Sequence, residues 1–99
     1  MSGAAQRSAE EERSLPGGDF KLFVQKLGYQ ALIALGVVEN PLTRSRQPHL
    51  GHARTVIDDL MMLRDKTQGN LAAEEEQHLS QVIGDLQRHF VMLQQKSAS

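Results

Sequence analysis

The chain has no cysteine, no tryptophan, a single tyrosine and three phenylalanines in 99 residues. Without cysteine there is no disulfide framework, no thiolate zinc site and no cysteine nucleophile, a composition that suits a reducing compartment. Charge of one sign is also missing. Eleven basic and 12 acidic residues leave a formal net charge of -1, which lacks the broad cationic field used for non-specific nucleic-acid or anionic-membrane binding. Long apolar runs are short too: the strongest, Leu27 to Val38, is about 12 residues, against the roughly 20 of a membrane-spanning helix. The first residues, Met-Ser-Gly-Ala-Ala-Gln-Arg-Ser-Ala-Glu-Glu-Glu-Arg, hold no apolar stretch behind a basic start, so they do not read as a secretory signal. A cytoplasmic protein without membrane or nucleic-acid partners is the expectation.

What is present is a helical composition. The apolar residues are dominated by Leu, Ala and Met, and no alternating apolar/polar run is long enough for a strand. Residues 1–18 are rich in Ser, Ala, Gly and Glu and end in Pro16-Gly17-Gly18, which predicts a disordered tail. A three-helix domain is expected over residues 19–96, with residues 97–99 disordered. Gln94 to Ser99, apolar only at Ala98, is expected to fray. The ordered part, about 75 residues, is near the lower size limit for one self-sufficient core.

The spacing predicts a first helix from Phe20 to Val38, capped by Asp19, with Phe20, Phe23, Val24, Leu27, Ala31, Leu35 and Val38 as its buried stripe. Leu22, Tyr29, Leu32, Ile33 and Val37 fall outside that stripe. A helix apolar on more than one side must be covered on more than one side, so this one is expected to be central, covered by its own chain and by a second subunit. The connection Glu39 to Pro48, with two prolines, ends it. A second helix starts near Pro48 on a stripe of Leu50, Ala53, Ile57, Leu60 and Met61, and Gly69 terminates it. A third, with Glu74, Glu75 and Glu76 in its first turn, carries Leu79, Val82, Ile83, Leu86, Phe90 and Leu93 on one face. The short link between them makes an antiparallel helical hairpin.

Asn40-Pro41, Ala53, Ile57-Asp58, Leu60, Met62-Leu63, Lys66-Thr67, Gly69-Asn70-Leu71, Glu75-Glu76, Leu79, Asp85-Leu86 and Phe90-Val91 form a recognisable string. With Phe20, Phe23-Val24, Leu27, Ala31-Leu32 and Ala34-Leu35-Gly36 before it, the chain resembles a small bacterial family catalogued as domain of unknown function 1844. The resemblance covers about residues 19 to 92, and its most specific piece is the Lys-Thr-x-Gly-Asn-Leu turn followed by paired glutamates. It implies a bacterial cytoplasmic helical protein and brings no catalytic residues. The family pattern places Thr-Pro after Asn-Leu, where this chain has Ala72-Ala73, so the third helix must be capped otherwise, with Asn70 the nearest candidate.

Candidate sites are few. Glu75-x-x-His78 is one copy of a motif that di-iron bundles use twice; Glu75, His78 and, from farther along the helix, His89 are the candidate metal ligands, against the simpler reading of a solvated helix face. Asp85 and His89, four apart, could pair, as could Arg54 and Asp58. Arg44, Arg46 and Arg54, with His49 and His52, form the one locally basic patch and a candidate anion site, but no aromatic residues interleave them as single-strand binders require. Leu32, Ile33, Gly36, Val37 and Met62 are the expected interface. No cofactor and no catalytic constellation is indicated. The expectation is an all-α, homodimeric, non-enzymatic interaction module engaging another cytoplasmic protein, with metal or small-ligand binding as the alternative and phosphate or nucleic-acid binding through the basic patch as the weaker one.

Overall fold

The computed structural model describes residues 17–98, so the tail expected over residues 1–18 lies, apart from Gly17 and Gly18, outside the described residues. Three helices account for most of the remainder: α1 (Phe20–Ala34), α2 (Leu50–Lys66) and α3 (Ala73–Ala98). No strand occurs among the described residues.

Asp19 starts α1, its carboxylate accepting the Leu22 N–H at 3.0 Å. The helix ends four residues sooner than its apolar pattern predicts, at Ala34 rather than Val38. Backbone chemistry overrides hydrophobicity here. Gly36 takes φ +77°, the Gly36 N–H bonds the Ile33 carbonyl at 3.0 Å and the Val37 N–H bonds the Leu32 carbonyl at 3.0 Å. This pair of bonds around a left-handed glycine is a Schellman cap, which satisfies the last carbonyls of the helix. Gly36 serves a second purpose, since a Cβ built there would lie 2.5 Å from the Arg46 carbonyl oxygen.

The connection from Val37 to His49 is built rather than loose. The Asn40 N–H bonds the Ser45 carbonyl at 2.8 Å and the Arg44 N–H bonds the Asn40 carbonyl at 2.7 Å. The Asn40 side chain accepts the Leu42 N–H at 2.9 Å and the Ser45 hydroxyl accepts the Gln47 N–H at 3.0 Å, the local side-chain turns these residues favour. The price is a left-handed Arg44, at φ 59°. The His49 N–H closes the segment onto the Ala34 carbonyl at 2.7 Å, so α2 sets out beside the end of α1 and runs back along it.

Thr67 to Asn70 reverse the chain again. The Asn70 N–H bonds the Thr67 carbonyl at 2.9 Å, and Gly69 sits third in the turn at φ +84°, where only glycine is unstrained. The Thr67 hydroxyl donates to the Leu63 carbonyl at 2.7 Å. The Lys-Thr-x-Gly-Asn-Leu string is thus a helix stop and turn. α3 is then capped by Glu75, not Asn70: its carboxylate accepts the Ala72 N–H at 2.9 Å, the reach-back half of a capping box. The helix stays continuous through Gln94 to Ala98, past the point where composition predicts fraying.

Each helix packs on both others. Val24, Ala31, Ala34 and Leu35 of the α1 region meet Ala53, Val56, Ile57 and Leu60 of α2 and Leu79, Ile83 and Leu86 of α3 in one core without a buried polar residue. Phe23, expected in that core, is 47% exposed, and Val38 lies beyond the helix. Glycine and alanine take their place: Gly28 is buried, and its missing Cβ would meet Val82 Cγ1 at 3.2 Å, so α1 and α3 touch closely there. Lys21 pairs with Glu74 across the same two helices at 3.3 Å. These two contacts make α1 and α3 parallel, with α2 antiparallel to both.

Candidate functional site

The side of α1 turned away from the core is the origin of the site. Val24, Gly28, Ala31 and Leu35 face inward; at 100° per residue, Leu22, Lys26, Tyr29 and Ile33 lie on the opposite side. Leu22, Tyr29 and Ile33 take no part in the core cluster, and Tyr29 is 47% exposed. The helix is apolar on two faces; its own chain buries one and leaves Leu22 and Ile33 of the other half-buried and Tyr29 exposed.

Beside this face, α1 and the parallel α3 enclose an open groove of about 610 Å³, on the side that α2 does not reach. Gly28 and Leu86 contribute to its wall, with Gln25, Lys26, Tyr29 and Leu32 on the α1 side and His78, Val82, Asp85 and His89 on the α3 side. The groove is apolar along its length and sparingly polar at its rim, the usual make-up of a binding groove. Its charges balance. Lys26 makes no ion pair among the described residues, and Asp85 pairs with Arg88 one turn on, not with His89. Nδ1 of His78 is shielded from solvent without a hydrogen-bond partner, the one such buried side-chain atom among the described residues.

The three candidate metal ligands do not converge. Glu75 is outside the groove and serves the start of α3, while His78 and His89 are three helical turns apart, about 16 Å along the axis. Among the described residues no three His, Asp or Glu side chains stand where they could hold a metal ion together. The basic residues also separate. Arg44 and Arg46 are exposed in the connection, whereas Arg54 lines a second groove, between α2 and α3, with Ile57, Asp58, Met61, Gln87, Phe90 and Val91. Arg54 and Asp58 make no ion pair among the described residues.

Of the expected interface residues, Leu32 lines the α1–α3 groove and Ile33 lies on the outward face of α1 beside it. Gly36 is pressed against the Arg46 backbone of its own chain. Val37 and Met62 are exposed, at 42% and 50%, and neither lines the groove. Sequence spacing marked Tyr29 only as a residue off the buried stripe and did not single out Lys26; that both sit over a groove follows from α1 and α3 being parallel, which no local pattern encodes.

A family model described as "Domain of unknown function (DUF1844)" matches residues 18–94. The chain belongs to that family. Neither a curated protein nor a solved structure matches it. No helix among the described residues is long and apolar enough to cross a membrane.

Proposed function

We propose that this member of the DUF1844 family is a non-enzymatic interaction module of the cytoplasm, and that the groove between α1 and α3 is its docking surface. The observation that carries the reading is the second apolar face of α1, Leu22, Tyr29 and Ile33, next to a groove walled by Leu32, Val82 and Leu86. Apolar surface of this shape beside parallel helices fits another helix, which would complete a four-helix bundle. A metal-binding reading has no such support, since its ligands are dispersed.

The test places a photo-reactive phenylalanine analogue at Tyr29, or at Gln81 on the exposed side of α3, in the protein made in its own host. Irradiation should attach a polypeptide at position 29 and none at position 81. Equal yields at both positions, or none at position 29, would contradict the assignment.

A further inference from the structure

The groove and the outward face of α1 have the same pattern. On α1 the outward positions are Leu22, Lys26, Tyr29 and Ile33; on α3 the groove is lined by His78, Val82, Asp85 and His89, with the buried Leu86 set back towards the core. Both are spaced four, three and four residues apart, and that series reads the same in either direction. An α1 helix therefore matches the α3 line in parallel or antiparallel orientation as far as spacing goes. Charge decides between them. In parallel, Lys26 would face Val82, leaving its charge against an apolar group, while Tyr29 would face Asp85, which would keep only Arg88 of its own helix as partner. In antiparallel, Leu22 meets His89, Lys26 meets Asp85, Tyr29 meets Val82 and Ile33 meets His78.

We propose that the occupant of the groove is α1 of a second copy of this chain, lying antiparallel across it about a twofold axis at Tyr29. This rests on the groove being a docking surface and names what docks. The axis is set by contacts within one chain. Lys21 with Glu74 and Gly28 with Val82 fix which α3 residue is level with each α1 residue. When two α1 helices cross antiparallel at Tyr29, Lys26 of one is level with Leu32 of the other, and hence with Asp85 and Leu86. The register that symmetry allows is the one that pairs the unlike charges. Both grooves are filled at once and the interface closes on itself, as a twofold contact requires. A foreign helix would need to reproduce this pattern, while the chain already carries both halves of it.

The experiment uses the full chain, tag-free, in sedimentation equilibrium from about 1 to 100 μM. The wild type should be a dimer. Lys26→Glu and Asp85→Lys should each raise the dimer dissociation constant at least tenfold, since each lesion occurs twice per dimer, and the double variant should recover most of the loss. Because the chain lacks cysteine, Tyr29→Cys should also form a disulfide-linked dimer under mild oxidation while Gln81→Cys does not. Circular dichroism of every variant guards against misfolding. A monomer across the whole range overturns the proposal. So does a dimer whose affinity ignores both charge reversals, or that fails to cross-link through position 29. If the chain is monomeric yet position 29 attaches another polypeptide in the host, the second copy is wrong and the docking surface stands.

Discussion

Gly36→Ala attacks the structure where two separate demands meet. A left-handed backbone costs an L-residue about 1–2 kcal/mol, and Gly36 has φ +77°. An added Cβ would also sit 2.5 Å from the Arg46 carbonyl oxygen and 3.4 Å from the Pro48 nitrogen. Both neighbours are backbone, so no side-chain rotation relieves the contact; the connection must move as a whole. Moving it strains the bond from the His49 N–H to the Ala34 carbonyl, worth about 0.5–1.5 kcal/mol. Together the loss is about 1.5–3.5 kcal/mol. Gly69→Ala is the control, because it has φ +84° and nothing within 4 Å of the added carbon, so it should lose only the conformational part, about 1–2 kcal/mol. Urea unfolding followed by circular dichroism, at one fixed protein concentration because assembly adds to stability, measures both. If Gly36→Ala costs no more than Gly69→Ala, the close approach of the connection to the end of α1 is wrong.

Other positions follow from the same packing. Leu60 is fully buried among all three helices, and Leu60→Ala should cost about 2–5 kcal/mol, read as a lower urea midpoint. Gly51→Ala meets nothing within 4 Å in α2 and should be neutral or stabilising by up to about 1 kcal/mol in the same assay. Glu75→Ala should lose about 0.5–1 kcal/mol with the Ala72 cap, whereas Glu75→Gln, which can still accept that N–H, should lose only a few tenths; an equal loss in both would mean that the carboxylate does something other than cap. Gly28→Ala presses on Val82 Cγ1 at 3.2 Å, so its effect should become more favourable in a Val82→Ala background, as a double-mutant cycle would record.

The three helices and their hairpin were legible because each carries a 3.6-residue apolar period, and the faces of α2 and α3 follow it nearly residue for residue. The end of α1 was not, because Leu35, Val37 and Val38 continue the apolar run while the chain is stopped by a glycine whose partners, Arg46 and Pro48, are ten or more residues away. Phe23 was misplaced for a related reason. Where helices approach as closely as at Gly28, small residues pack best, and size on a helical wheel is a poor guide to burial. The cap of α3 was missed because Glu75 acts backward from the third helical position, while the sequence drew attention to polar residues ahead of the helix. The groove was half legible: excess apolar residues on α1 marked a second apolar face beside it. Its other wall depends on which α3 residues stand beside α1, and that is a property of the assembled core.

Tyr29 is the only tyrosine and sits in the groove at 47% exposure, so its chemistry reports on that surface alone. The most direct measurement is the rate at which tetranitromethane nitrates this ring in the native protein, followed by intact mass. If the groove is a docking surface, Tyr29 should be protected at working concentration, and should become reactive when the protein is diluted or when Lys26 is reversed to Glu. Nitration at one and the same fast rate in the host extract, in dilute purified protein and in the variant would mean that nothing covers the groove.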